Sequence, residues 1–234
     1  MSGVLYLIPS LLGPEGLPAA MPPQVLDTIR ALTHFVAESA KSARQFLKQV
    51  GMPRPLAQLA IAELSEHTRT ERIPELLVPL RGGHDVGLLS EAGCPSIADP
   101  GAELVAAAHR EGLRVAPLVG PSSLLLALMG CGLNGQRFCF HGYLPVQRAA
   151  REQTIRQIES ESAARGATQL FIEAPYRNNQ LVAALLATLR PMTRLCLAVD
   201  LMQPTEAIAT RTVQSWKANV PNLDRRPTVF LLLA

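Results

Sequence analysis

Aromatic side chains are scarce: Phe, Trp and Tyr together make up 4% of the 234 residues. That scarcity removes the simplest signature of a nucleic-acid platform, which stacks bases on exposed rings, and leaves packing to aliphatic side chains. Cysteine is sparse as well. Cys94, Cys131, Cys139 and Cys196 form no C-x-x-C pair and have no histidine at ligand spacing. They read as reduced thiols, not as a zinc site or a disulfide framework, and no metal is expected. An excess of either charge is also missing, since 22 Lys and Arg against 19 Asp and Glu leave a formal +3. Such a balance permits an RNA partner without arguing for one. The run Val4 to Ile8 lacks a basic leader and ends too soon for a signal peptide. The longest apolar stretch, near Leu124 to Leu133, is interrupted by glycines and falls short of a membrane span. The expectation is a soluble, cytoplasmic protein with no membrane partner.

General nucleotide signatures are absent too. No G-x-G-x-x-G follows the first strand-like run and no G-x-x-x-x-G-K-[ST] occurs, which argues against a dinucleotide enzyme or a P-loop NTPase. The lack of a G-x-S-x-G elbow weakens a hydrolase reading.

What is present is an alternation of short β-rich runs with longer helical patterns, which predicts an α/β fold with mostly parallel strands. Strands are expected at Val4 to Ile8, His34 to Ala37, Asp85 to Leu89 and Arg114 to Leu118. Helices are expected at Gln24 to Leu32, Ser39 to Val50, Ile73 to Arg81 and Ala102 to Glu111, while Leu56 to Leu64 suits strand or helix equally. In the second half, strands at Arg137 to Tyr143, Gln169 to Glu173, Arg194 to Val199, Glu206 to Thr212 and Pro227 to Leu233 surround helices at Val146 to Arg165 and Asn178 to Leu189. The first of these helices is the most charged stretch and reads as a solvated face carrying i,i+4 pairs. A break at Val119-Gly120-Pro121 divides the chain into domains 1–118 and 119–234.

Three loops share one character. Pro9-Ser10-Leu11-Leu12-Gly13, Glu91-Ala92-Gly93-Cys94-Pro95-Ser96 and Val119-Gly120-Pro121-Ser122-Ser123 each follow an apolar strand and consist largely of small residues. Small residues there let backbone N–H and C=O groups come close to a ligand, at the sheet edge where open α/β folds bind. Tight turns with no ligand have the same composition.

The residues then become more specific. Leu88-Leu89-Ser90-Glu91-Ala92-Gly93-Cys94-Pro95-Ser96-Ile97-Ala98-Asp99-Pro100-Gly101 resembles the "L-V-S-D-A-G-T-P-x-I-S-D-P-G" segment of the tetrapyrrole methylase family. The likeness is nearest to its RNA branch, typified by the 16S ribosomal RNA cytidine 2′-O-methyltransferase. Leu118 to Ser123 resembles "L-P-G-P-S-A", Leu5 to Ser10 resembles "L-Y-V-V-P-T", Arg137 to Pro145 resembles "R-F-x-F-x-G-F-L-P", and Glu173 to Arg177 resembles "E-S-P-H-R". The similarity runs in order from residue 4 to about 200.

This resemblance implies two α/β domains with S-adenosylmethionine in the cleft between them, usually in a homodimer. It implies cofactor contacts at Pro9, Glu91, Ala92, Gly93, Ser96, Ile97, Ser122 and Ser123. In the second half it implies contacts at Glu173, Ala174, Met202, Pro227 and Thr228. Catalytic candidates lie where the family has "A-E-D-T-R-x-T" and "H-E-H-N", at Glu38 and His67. Glu38 is also readable as a carboxylate at a helix N-terminus, and His67 as an imidazole satisfied within a loop. Lys41, Arg44 and Arg177 are candidates for substrate phosphates, and each reads equally well as a surface ion-pair partner. Departures fall on the substrate side: Ser39 and Ala40 replace Asp and Thr, and "R-E-x-T-K" appears as Val199-Asp200-Leu201-Met202-Gln203. The expected function is S-adenosylmethionine-dependent RNA methylation on the small ribosomal subunit. The alternatives are C-methylation of a tetrapyrrole or corrinoid precursor, a divergent cofactor-binding member with another substrate, and a cofactor-binding protein without catalytic activity.

Overall fold

The computed structural model describes residues 2–13, 20–65 and 70–234, which form two compact units, Met1–Ser122 and Ser123–Ala234. In the first unit β1 (Val4–Ile8), β2 (His34–Ala37), β3 (Ala60–Glu63), β4 (Val86–Leu89) and β5 (Arg114–Pro117) make a parallel sheet in the order β3-β2-β4-β1-β5. The strands alternate with α1 (Pro23–Ala31), α2 (Ala40–Val50), the short α3 (Ile73–Leu76) and α4 (Val78–Arg81), and α5 (Ala102–Arg110). Both faces of the sheet are covered, as a parallel sheet requires. Ile8, Phe35, Ala37 and Leu89 pack with Val25, Ile29, Phe46 and Leu47 of α1 and α2. Leu5, Val36, Val86 and Leu88 point the other way, onto Ile73, Leu77, Leu80 and Leu104.

Local chemistry explains the element ends. The Ser39 hydroxyl accepts from the Ser42 N–H at 3.3 Å and starts α2 as an N-cap. Gly51, at φ +75°, stops it with a left-handed residue. The ambiguous segment becomes a 3-10 turn at Leu56–Gln58 followed by β3, whose Ala60 N–H donates to the Thr33 carbonyl at 2.9 Å. The single helix expected over 73–81 is split in two. The break falls at Leu77, and Pro79 has no N–H to donate to the Glu75 carbonyl of the preceding turn.

The second unit opens with α6 (Ser123–Gly130). Strands β6 (Phe138–Tyr143), β7 (Thr168–Ile172), β8 (Arg194–Val199), β9 (Ala207–Thr212) and β10 (Thr228–Leu233) follow, with α7 (Arg148–Arg165), α8 (Asn178–Thr188) and α9 (Val213–Ala218) between them. The sheet order is β6-β7-β10-β8-β9, and only β6 with β7 is parallel. The expectation of mostly parallel strands therefore fails in this half. The connection between β8 and β9 is too short for a crossover, so the two pair as a hairpin. Strand β10 then returns antiparallel between β7 and β8. The core is aliphatic around stacked Phe171 and Phe230, whose ring centroids are 5.8 Å apart.

Helix α7 differs from a merely solvated face. Its outer side carries an Arg148–Glu152 pair at 2.8 Å, but Arg151, Ile155, Ile158, Glu159 and Ser162 form a buried stripe. Glu159 is tolerated inside because the Arg190 N–H (2.8 Å), the Thr193 hydroxyl and the Arg190 guanidinium (3.3 Å) all reach its carboxylate. All four cysteines are free thiols. Among the described residues no helix is long and apolar enough to cross a membrane.

Candidate functional site

In the first unit β1 and β4 are neighbours, yet after β1 the chain leaves for β2 and after β4 it leaves for β5, in opposite directions across the sheet. Such a switch point opens a crevice at the carboxyl ends of the strands, where open α/β sheets bind ligands. All three small-residue loops lie at this edge and are tied to one another. Ser10 and Gly93 exchange backbone hydrogen bonds at 2.8 and 3.1 Å. The Ser10 hydroxyl donates to the Ser90 carbonyl, and the Ser90 hydroxyl to the Gly93 carbonyl, both at 2.7 Å. The Cys94 thiol donates to the Pro121 carbonyl at 3.6 Å. Gly120 lies so close to Pro9 that an added Cβ would sit 2.6 Å from the proline Cβ, so only glycine lets these two loops approach.

The loop after β4 is held in an unusual backbone shape. Gly93 (φ +72°), Ser96 (φ +68°), Ala98 (φ +56°) and Gly101 (φ +138°) all lie at positive φ. Strain of this kind persists where the surroundings over-determine a conformation, and it clusters at ligand clamps. The loop presents Glu91, Ala92 and Ile97 to solvent and buries Gly93. Beside it is a cavity of about 320 Å³ lined by Ser10, Ala37, Ser39, Phe46, Ser90 and Ala92 among others.

Glu38 follows β2 at the same edge. It is not the carboxylate at the start of α2: Ser39 supplies the cap, and Glu63 at the end of β3 accepts the Ala40 N–H at 3.0 Å. Burial, reinforced by the negative charge of Glu38 and Glu91, pushes the Asp99 carboxyl up to about 7. Sequence reasoning passed over Asp99 although it lies inside the most telling segment. The signal available was its place in the loop beyond β4, the strand that pairs with the one leading into Glu38. Lys41 and Arg44 are exposed on the first turns of α2, where Arg44 reaches the Ala40 carbonyl at 3.4 Å. His67 lies outside the described residues.

The second unit gathers its predicted residues at one end of its sheet. Glu173, just past β7, is buried, and its Oε1 accepts from the Ala174 N–H (2.8 Å) and from Arg177 Nη2 (2.5 Å). Arg177 is thus committed to Glu173, with its guanidinium 5.6 Å from the Tyr176 ring centroid. Asn178, missed in the sequence, donates to the Arg226 carbonyl at 2.6 Å. Arg226 in turn donates to Asp200 at 2.8 Å, and the Asp200 N–H donates to the Pro227 carbonyl at 2.9 Å. Asp200 (φ +48°) and Met202 (φ +64°) hold left-handed backbone in the turn between β8 and β9. Thr228 is buried with its hydroxyl on the Arg226 carbonyl at 2.9 Å. Pro227 is exposed, and Ser122 and Ser123 are half-buried.

Several buried polar atoms at these places have no hydrogen-bond partner among the described residues: Ser96 Oγ, Glu173 Oε2 and Asn178 Oδ1. Native proteins rarely leave such atoms bare. Among the described residues no His, Cys, Asp and Glu group has the makings of a metal site.

The chain is similar to proteins of one known family. The sequence profile of the tetrapyrrole (corrin/porphyrin) methylases matches residues 8–216. The "Ribosomal RNA small subunit methyltransferase I" of Xylella fastidiosa strain Temecula1 is 33% identical over 220 residues, covering 94% of this chain and 76% of the relative. Its namesake from Pseudomonas aeruginosa is 30% identical over 234 residues, covering 99% and 79%. Among solved structures, the methyltransferase CobJ superposes with a TM-score of 0.64 at 18% identity, covering 100% of this chain and 94% of CobJ. The α/β strand order, the interlinked strand-end loops and this ordered likeness have one explanation: the chain belongs to the tetrapyrrole (corrin/porphyrin) methylases and is a methyltransferase of that S-adenosylmethionine-dependent family.

Proposed function

We propose that the protein methylates a ribose 2′-hydroxyl of 16S ribosomal RNA in the small ribosomal subunit. The observation that carries the reading is the likeness, at 30% identity or more over nearly the whole chain, to relatives named for small-subunit ribosomal RNA methylation. The fold shared with CobJ does not choose between RNA and corrin acceptors.

Bound S-adenosylmethionine would supply a methyl group on a sulfonium, which needs alignment more than activation. In the first unit Pro9, Glu91, Ala92, Gly93, Ser96, Ile97 and Ser122 are the residues to hold it. In the second unit Ser123, Glu173, Ala174, Met202, Pro227 and Thr228 are the matching set. In the first unit the orphaned hydroxyl of Ser96 would give the donor a polar partner. Glu38 takes the acceptor's proton, and the basic side chains of Lys41 and Arg44 attract RNA phosphates.

The test is transfer of labelled methyl to small subunits from a cytoplasmic extract of a strain lacking the protein. The expected result is label on a ribose oxygen of 16S RNA. Absence of label from RNA overturns the reading, and label in a corrinoid precursor supports the carbon-methylating alternative. The protein also pairs with a second copy in this proposal. Leu125 and Met129, one turn apart on α6, are 55% and 80% exposed, an apolar display that a partner surface covers. Sedimentation should give twice the chain mass of 25.2 kDa, and a monomer at micromolar concentration sinks the pairing.

A further inference from the structure

The connection 200–206 joins β8 to β9, and two of its non-glycine residues hold left-handed backbone, Asp200 at φ +48° and Met202 at φ +64°. Such backbone disfavours any side chain with a Cβ and persists only where the surroundings over-determine it. Here the determinant is one buried carboxylate. Asp200 Oδ2 accepts from Thr205 Oγ1 and from Arg226 Nε, both at 2.8 Å, and lies 2.7 Å from Arg226 Nη2. Arg226 Nη2 also donates to the Thr205 carbonyl at 2.9 Å, so a single guanidinium holds the connection near both of its ends. The backbone of Arg226 is fixed in turn. Its carbonyl accepts from Asn178 Nδ2 at 2.6 Å and from Thr228 Oγ1 at 2.9 Å, and the next carbonyl, of Pro227, accepts the Asp200 N–H at 2.9 Å.

Met202 is the residue this frame carries. Its N–H donates to Glu206 Oε2 at 2.6 Å, and its carbonyl accepts from Gln203 Nε2 at 3.1 Å. With both backbone groups engaged, Met202 has its side chain to offer a ligand, and the direction of that side chain follows from the left-handed backbone beneath it. We propose that Arg226 is a positioning residue for cofactor binding: through Asp200 and Thr205 it holds the β8–β9 connection in the shape that presents Met202 at the same sheet end as Pro227 and Thr228. This rests on the reading of Met202 as a residue that meets S-adenosylmethionine.

Asp200 does not hold the turn alone. Its side chain is 11% exposed, and a buried charge stripped of its partner is strongly unfavourable. Without Arg226 the carboxylate turns towards water and takes the backbone of the connection with it. The fold itself depends little on the pair. Arg226 is 36% exposed, and neither residue belongs to the aliphatic core around Phe171 and Phe230.

The experiment measures S-adenosylmethionine affinity by equilibrium dialysis, with no acceptor present, on wild type, Arg226→Leu, Arg226→Lys, Met202→Ala and the Arg226→Leu/Met202→Ala double variant. Each is held well below its own unfolding midpoint, so that lost stability does not pass for lost binding. Arg226→Leu should bind about tenfold more weakly, because the turn must then be ordered at the moment of binding. Arg226→Lys keeps the charge but presents one nitrogen where the guanidinium uses two, and should recover part of the loss. Met202→Ala should also bind more weakly. Once the Met202 side chain is gone, removing Arg226 as well should cost nothing further, a coupling that a general weakening of the fold does not produce. Methyl-labelled methionine NMR without cofactor reads the position directly: the Met202 signal should be displaced in Arg226→Leu and move back in Arg226→Lys. An unmoved signal, or losses that simply add in the double variant, overturns the proposal. Wild-type affinity in Arg226→Leu beside weak binding in Met202→Ala overturns the role of Arg226 alone, whereas wild-type affinity in Met202→Ala overturns the reading of Met202 and the proposal with it.

Discussion

Replacing Glu38 by glutamine should lower the turnover rate by about 10²–10⁴-fold, the usual worth of a positioned base, while S-adenosylmethionine affinity stays within about twofold. The substitution is nearly isosteric. It removes no cap from α2, because Ser39 and Glu63 satisfy the first N–H groups of that helix. What is lost is a group able to take a proton from an alcohol, whose own acidity is far too low for it to ionise at neutral pH. Single-turnover rates with small subunits and equilibrium cofactor binding, measured on one preparation, separate the two effects. A rate within about threefold of wild type, well short of what a positioned base contributes, would remove Glu38 from the chemistry and leave it a half-buried structural carboxylate.

Much of this arrangement is legible in the sequence because it rests on local rules. Strand and helix periodicity placed Val4–Ile8, His34–Ala37 and Arg194–Val199 with their observed bounds, and small residues after apolar runs marked the three strand-end loops. What sequence could not supply is pairing direction and partner choice. The antiparallel run of β8, β9 and β10 depends on how a short connection folds back, and nothing in the composition of Asp200 to Glu206 announces it. Buried charge is hidden for a related reason. Arg151 and Glu159 look solvated in a polar helix until α8 and the Arg190–Thr193 turn close over that face. Arg177 reads equally well as a phosphate anchor or a surface ion-pair partner in one dimension, and pairs with buried Glu173 in three. Asp99 illustrates the limit most clearly. Its residue type is visible within the family-like segment, but the upward shift of its carboxyl comes from burial and from the charges of Glu38 and Glu91, which only the folded chain brings to bear.

Changing Ala92 to tryptophan should weaken S-adenosylmethionine binding by at least about 100-fold, equal to about 2.7 kcal/mol, without unfolding the protein. Ala92 is exposed and lines the cavity beside the ends of β1, β2 and β4, so an indole there fills space that a ligand would need and crowds no core atom. The loop keeps its shape through bonds that do not involve the Ala92 side chain: the Ser10–Gly93 backbone pair and the Ser10 and Ser90 hydroxyls. Exposed substitutions of this sort usually change stability by no more than about 0.5 kcal/mol, so the unfolding midpoint without cofactor should barely move. Adding cofactor at about 100 times the wild-type dissociation constant should stabilise wild type by about 2.7 kcal/mol and the variant hardly at all. Ala92→Ser, which adds one small polar atom, separates crowding from mere substitution and should bind within a few-fold of wild type. If Ala92→Trp gains the same stabilisation as wild type, the methyl donor does not approach the loop after β4, and the positive-φ residues there serve some other purpose.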